Sequence, residues 1–429
     1  MLTKVIRKIL NYIKHIIFER GYLIYYLNIP SFRGSLKEIE KRPQKEKLNL
    51  VFICQCPTAW TTAQPMYEAA MKDPQINVTV VLIPELEFSY YVFLKHIYYD
   101  KIYNFGKKIS ENCVHAYSPE NNEWFDLRTL KPDYVFIPRP YETYLPKQYR
   151  ASAIRKYAKV CYVPYAFPML PDSHIIYNSH FSRNVYFFFC EQEQSYEYVC
   201  HKFKRTCSKG VQRAEFTGYP RFDLIDLHQN HEGSLWKKER SNEIFRIIWT
   251  PRWTTDPKLG GSNFFNYKDK IIKYAEKHEE VELLFRPHPM AFENYVSQGL
   301  ISSEELEEYC QKYREMPNAV LDQTVNYYDT FFSSDVLISD PSSVTLDYLF
   351  TGKPIIYCPS SNKAHEVVGG LQECYYIAES FEEVIQIIEQ LRKGQDPKRE
   401  IREKMVKHLK RDGKIGQSII EKIKKDYWK

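Results

Sequence analysis

Apolar positions recur along this chain in two rhythms. Leu2, Val5, Ile6, Ile9, Leu10, Ile13, Ile16 and Ile17 keep a three-four spacing, with Lys4, Arg7, Lys8, Lys14 and His15 on the opposite side. That spacing predicts a basic amphipathic helix over residues 1–24. Charge interrupts its apolar stripe too often for a bilayer span, and no small-residue cleavage site follows. Such a helix is expected to lie in a membrane interface, its Lys and Arg against anionic lipid. Residues 25–47, ending in the charged Ser35–Lys47, read as a linker.

The second rhythm is a series of short, nearly continuous apolar runs, the mark of strands buried on both faces of a parallel sheet. Leu48–Cys54, Asn77–Pro84, Asp133–Pro138, Val160–Tyr165 and Val185–Glu191 supply such runs in the first half. Phe245–Thr250, Val281–Arg286, Asp335–Ser339 and Pro354–Cys358 supply them in the second, alternating with helix-like stretches such as Lys268–Glu280 and Glu304–Arg314. Strand–helix alternation predicts two doubly wound, Rossmann-like parallel-sheet domains with a nucleotide crevice between them. The expected boundaries are 48–235 and 240–395, with a charged linker near His228–Ser241 and a basic helix over 396–429.

Several of these strands end in groups suited to phosphate. Asp335–Tyr357 (DVLISDPSSVTLDYLFTGKPIIY) runs from a strand through Asp340, Ser342 and Ser343 into a short apolar helix that Gly352 stops. A helix start offers unpartnered backbone N–H groups and a favourable dipole for an anion, and Ser342 and Ser343 add hydroxyl donors. Asp347, about one turn further on, is placed to accept from a ribose hydroxyl. Thr250 and Arg252 follow one strand, Arg286 and His288 another, and Arg221 follows the run at Phe216. Ligands of open α/β sheets sit outside the carboxyl ends of the strands, so these side chains are expected to converge. Arginine grips phosphate through paired N–H groups, and histidine moves protons near neutrality. The alternative for each is structural: Ser and Asp cap helices, and Arg beside Pro pairs with carboxylates at sheet ends.

Composition narrows the classes. A chain of 429 residues with 44% hydrophobic content is long enough for two cores. Net charge of +6, with no dense basic tract, argues against nucleic-acid binding. Ten scattered cysteines without a C-x-x-C pair indicate neither a zinc site nor a redox dithiol, and suit a reducing cytoplasm. No H-x-H or D-x-D cluster marks a metal site, and neither a P-loop nor a G-x-G-x-x-G is present.

The segments GYPRFD, TPRW, RPHP and SDPSSVTLDYLFTGKPIIY together resemble the CDP-glycerol glycerophosphotransferases, enzymes of teichoic-acid-type glycerol phosphate polymers. The resemblance covers about Phe216–Pro359 and, more loosely, Asn49–Cys190. It implies a GT-B-like fold, CDP-glycerol as donor, no tightly bound cofactor, and a peripheral position on the cytoplasmic membrane face with a membrane-linked acceptor. It further implies donor-phosphate contacts from Arg252, His288, Ser342 and Ser343, and a structural or donor role for Asp340 and Asp347. Many members carry a Trp-His-Gly motif whose histidine serves as general base; the matching stretch here, Cys161–His174, has Tyr165 at that place. His174, on the same loop, is the candidate base on the acceptor side, with His180 following. A GT-B glycosyltransferase using a nucleotide sugar, or a non-catalytic member of a polymer-assembly complex, are the alternatives.

Overall fold

The computed structural model describes residues 29–88, 94–142, 145–167, 177, 179–227, 235–241, 243–257, 260–324, 327–360, 368–410 and 414–429. The helix expected over residues 1–24 and the candidate base His174 lie outside the described residues. Two compact units emerge. The first takes in the chain up to Tyr165, residues 174–221 and 414–429; the second takes in 166–173 and 222–413.

The first unit opens on β1 (Leu48–Cys54) and β2 (Ile76–Leu82), which are followed by a hairpin of β3 (Glu85–Phe88) and β4 (Leu94–Tyr98). After β5 (Val114–His115) comes a second hairpin, β6 (Tyr117–Ser118) and β7 (Glu123–Trp124). The strands β8 (Tyr134–Phe136), β9 (Lys159–Tyr162), β10 (Phe187–Cys190) and β11 (Arg213–Phe216) complete the set. Seven of these form one parallel sheet in the order β11-β10-β9-β8-β1-β2-β5. The winding reverses between β1 and β8, so the carboxyl ends of those two strands flank the sheet's natural ligand position.

The second unit repeats the plan. Its strands are β12 (Phe245–Thr250), β13 (Val281–Phe285), β14 (Ala319–Leu321), β15 (Val336–Ser339), β16 (Ile355–Tyr357) and β17 (Tyr376–Ile377). All are parallel, in the order β14-β13-β12-β15-β16-β17, and the reversal falls between β12 and β15. The core of this sheet is aromatic: Trp249 stacks against both Phe264 and Phe285, with ring centroids 5.9 and 4.9 Å away, and those two rings also meet at 6.0 Å.

Three boundaries differ from the expectation. Residues 29–40 form a helix rather than a linker, because Ile29, Phe32, Leu36 and Ile39 fall on one buried face among the charges. The units divide after Arg221, ahead of the charged stretch near 235. The basic tail is two helices, Arg399–Lys410 in the second unit and Ile415–Tyr427 in the first. That last helix is tied down by the buried carboxylate of Asp426. It accepts from Tyr134 Oη at 2.6 Å, from Tyr186 Oη at 3.0 Å and from Lys159 Nζ at 2.8 Å, and it pairs with Arg213 at 2.9 Å. Gly416 lies so close to the Pro65 backbone of the helix Pro57–Met71 that any β-carbon there would clash.

Candidate active site

The site is built on the rim of the second sheet, at the reversal between β12 and β15. Asp340, the first residue beyond β15, is 2% exposed and organises it. Its carboxylate accepts the Arg252 N–H at 2.8 Å, the Ser262 hydroxyl at 2.9 Å, and the Asn263 N–H and side-chain amide at 3.0 Å each. Burial raises the Asp340 pKa, and these hydrogen bonds oppose the rise. With both oxygens so committed, Asp340 is a positioning residue rather than a ligand group. Asn263 occupies the N-cap of the helix Phe264–Lys277 without capping it; its amide bonds Asp340 and the Cys358 carbonyl instead. Gly260, at φ +98°, brings the loop beneath the Arg252 guanidinium, where a side chain would crowd it.

Arg252 is the group this scaffold holds. One guanidinium nitrogen donates to the Pro341 carbonyl, while its Nε is buried with no hydrogen-bond partner. Burial lowers its pKa and Asp340 raises it, but a guanidinium stays charged throughout. An unpartnered buried donor on a cation is the arrangement that an anion relieves.

His288 lies past the neighbouring strand β13. Its Nδ1 accepts the Met290 N–H at 3.2 Å, which puts the proton of the neutral ring on Nε2. Burial, followed by the Arg252 charge, lowers its pKa and keeps it neutral. His288 is therefore set up as an Nε2–H donor. Trp253, ring centroid 6.4 Å from His288, packs against the core.

The other candidates divide. Ser343 is exposed at the N-cap of the helix Val344–Leu349 and makes no capping bond. The Ser342 hydroxyl accepts the Val344 N–H at 3.4 Å. Thr250 is turned inward, donating to the Ile338 carbonyl at 3.4 Å. Asp347 is buried and accepts from Tyr327 Oη at 2.5 Å, so a tyrosine occupies the position assigned to a ribose hydroxyl. Arg286, the first residue beyond β13, pairs with the fully buried Asp322 and donates to the Thr324 carbonyl at 2.7 Å, which ties it to the turn after β14. Arg221 begins the helix Arg221–Leu227 and is the last residue of the first unit. Ser262, Asn263 and Asp322 escaped the sequence reading; the Gly-Gly-Ser-Asn run ahead of an amphipathic helix was the signal for the first two.

A cavity of about 760 Å³ opens at the other end of this sheet, lined by Phe245, Asp335, Lys353 and Arg399 among others. It contains none of the candidate site residues, and it lies at the amino ends of the strands, where ligands of open sheets do not sit. Among the described residues no cluster of three or more His, Cys, Asp or Glu could hold a metal ion.

Two doubly wound parallel sheets, with an anion-directed rim at the second one's winding reversal, define a GT-B-like α/β protein. Solved structures agree on the fold. UDP-GlcNAc 2-epimerase from Neisseria meningitidis, bound to UDP-GlcNAc, matches with TM-score 0.58 at 12% identity over 88% of this chain and 100% of that one. The wall teichoic acid polymerase TagF matches with TM-score 0.52 at 15% identity over 96% of this chain and 98% of that one. A second TagF structure, soaked with CDPG, matches at 13% identity with the same TM-score and coverage. A comparison with curated proteins gave no match. The profile of the CDP-glycerol:poly(glycerophosphate) glycerophosphotransferase family matches residues 195–425, more than half of the chain. The chain belongs to that family and is an enzyme of the glycerophosphotransferase type.

Proposed function

We propose that this enzyme transfers glycerol phosphate from CDP-glycerol to a hydroxyl of a membrane-linked saccharide or glycerol phosphate polymer, releasing CMP. The observation that carries this reading is the Asp340-anchored loop presenting Arg252, with its unpartnered Nε, beside the neutral donor His288. The acceptor oxygen attacks the distal phosphorus of the donor, and the bond to the bridging oxygen breaks, leaving CMP. Little covalent work falls to the protein; its task is to position the diphosphate, neutralise charge and remove one proton. Arg252 suits the charge on the diphosphate, and His288 Nε2–H and the Ser342–Ser343 turn suit its oxygens.

The amphipathic pattern of residues 1–24 and ten scattered cysteines without a C-x-x-C pair support a peripheral place on the cytoplasmic face of the membrane. Among the described residues no helix is long and apolar enough to cross a membrane. The test is incubation of the purified protein with CDP-glycerol labelled in the glycerol and a membrane extract. Label passing into the membrane fraction in step with CMP release is the expected result. CMP release with the label left as free glycerol phosphate would contradict transfer.

A further inference from the structure

Groups that address phosphate oxygens grip every nucleoside diphosphate alike, so the choice of nucleoside has to come from another contact on the same rim. The second unit holds one of the right kind. Tyr327 Oη donates to Asp347 Oδ2 at 2.5 Å, and Asp347 is 3% exposed, on the helix that follows the Ser342–Ser343 turn. A phenol has a single proton, and a carboxylate only accepts. With that proton held by Asp347, the Tyr327 oxygen can only accept from whatever else meets it. We propose that Tyr327 reads the nucleoside of the donor, its oxygen accepting one hydrogen bond from a cytidine.

The tyrosine is held in place from several sides. The Arg286 guanidinium carbon lies 4.7 Å from its ring centroid, and the rings of Tyr328 and Phe331 stand 4.8 and 4.7 Å away. Arg286 is locked in turn by Asp322, whose carboxylate also accepts the Thr324 N–H at 2.8 Å and the Thr324 hydroxyl at 2.7 Å. Arg286 follows β13, and Asp322 and Thr324 follow β14, so Tyr327 joins the loop after β14 to the helix Val344–Leu349 across the carboxyl rim. That rim is where ligands of an open sheet sit. The tyrosine is half-buried, and every residue of this contact belongs to the second unit. Neighbouring polar groups are committed to the scaffold: the Asn263 amide to Asp340 and the Cys358 carbonyl, and the Thr250 hydroxyl to the Ile338 carbonyl.

A cytidine offers two kinds of hydrogen-bond donor, the 4-amino group of its base and the ribose hydroxyls. Uridine keeps the ribose but carries a carbonyl oxygen in place of the amino group. Set against the Tyr327 oxygen, that carbonyl makes a pair of acceptors with no proton between them. A site built to hydrogen-bond one group rejects an analogue that cannot complete the bond, because its own polar atom is left unpaired. Deoxyribose leaves the same gap where a ribose hydroxyl is the group read.

The inference rests on CDP-glycerol being the donor, as proposed above, and the experiment separates the two. CDP, UDP, 2′-deoxy-CDP and 3′-deoxy-CDP are titrated calorimetrically against the full-length wild type and Tyr327→Phe. CMP release from CDP-glycerol with membrane extract is measured on the same preparations. The wild type is expected to bind CDP about 10- to 100-fold more tightly than UDP where the base amino group is read, or than a deoxy analogue where a ribose hydroxyl is. Tyr327→Phe removes one oxygen atom and is expected to close that gap by lowering CDP affinity to that of the analogue. A merely structural tyrosine would weaken all four nucleotides together. A wild type that binds the four alike, or a gap that Tyr327→Phe leaves unchanged, overturns the inference; CMP release by the same wild type then leaves the transferase reading standing. A wild type that binds none of the four overturns the donor reading, and the inference with it.

Discussion

The Asp340 carboxylate accepts the backbone N–H of Arg252 at 2.8 Å, which makes the arginine's position depend on a residue 88 places further along the chain. Replacing Asp340 by Asn turns one acceptor into a donor facing Ser262, Asn263 and Arg252. The expected cost is about 1–3 kcal/mol of stability, with a weaker grip on donor. Thermal unfolding and a CDP-glycerol titration of Asp340→Asn read the two effects together; a variant with unchanged melting and affinity would show that the loop holds itself.

Arg252 and Arg286 should separate. Arg252→Lys keeps charge but loses the planar fork, and is expected to weaken CDP-glycerol binding by roughly tenfold or more at unchanged stability. Arg286→Ala leaves the buried Asp322 carboxylate unpaired, for a cost of about 3–5 kcal/mol in folding. Melting temperature and donor affinity of both variants test the division; the reverse pattern would exchange their roles.

On the proposed reading His288 serves as a donor, so Gln should replace it better than Ala. His288→Ala is expected to lower kcat by about 100- to 1,000-fold, and His288→Gln by much less. Equal losses in steady-state assays would argue that the ring is needed for proton transfer rather than donation.

Glu191 supplies a pH-dependent term in stability. Burial pushes its carboxyl from the ordinary 4.5 up to about 6, and bonds from Ser195 and Tyr177 only partly offset this. Below the unfolded value both states hold the proton and the site contributes nothing. Between there and about pH 6 the native state keeps a proton the unfolded chain has lost, so stability falls as pH rises. Above that window the ionised, buried group costs on the order of 2 kcal/mol. Glu191→Gln should therefore match the wild type near pH 4.5 and melt higher above pH 6. A constant difference across that range would deny the shift.

Much of the fold was legible because parallel strands buried on both faces read as unbroken apolar runs; β1, β12 and β15 stand almost where those runs lie. The helix over residues 29–40 was hidden because only four of its residues are buried and the others are charged or are Pro30, Ser31, Gly34 and Ser35, poor helix formers. In the site, the side chains at strand ends could be named, but not what each one touches. Asp340 draws its partners from positions 77 and 88 residues away, and Asp347 is met by Tyr327 from another loop. Local pattern carries no record of such pairings. His288 illustrates the same limit at a single atom: its tautomer follows from one backbone N–H, that of Met290.

The most direct test of the central claim is CMP release by the purified protein offered CDP-glycerol, CDP-ribitol and UDP-sugars in parallel, with membrane extract as acceptor source. Release from CDP-glycerol, abolished in Arg252→Ala and absent with the UDP-sugars, is the predicted result. Turnover of a UDP-sugar with none of the CDP-polyols would contradict it, leaving a rim that binds nucleotide diphosphates for a different transfer.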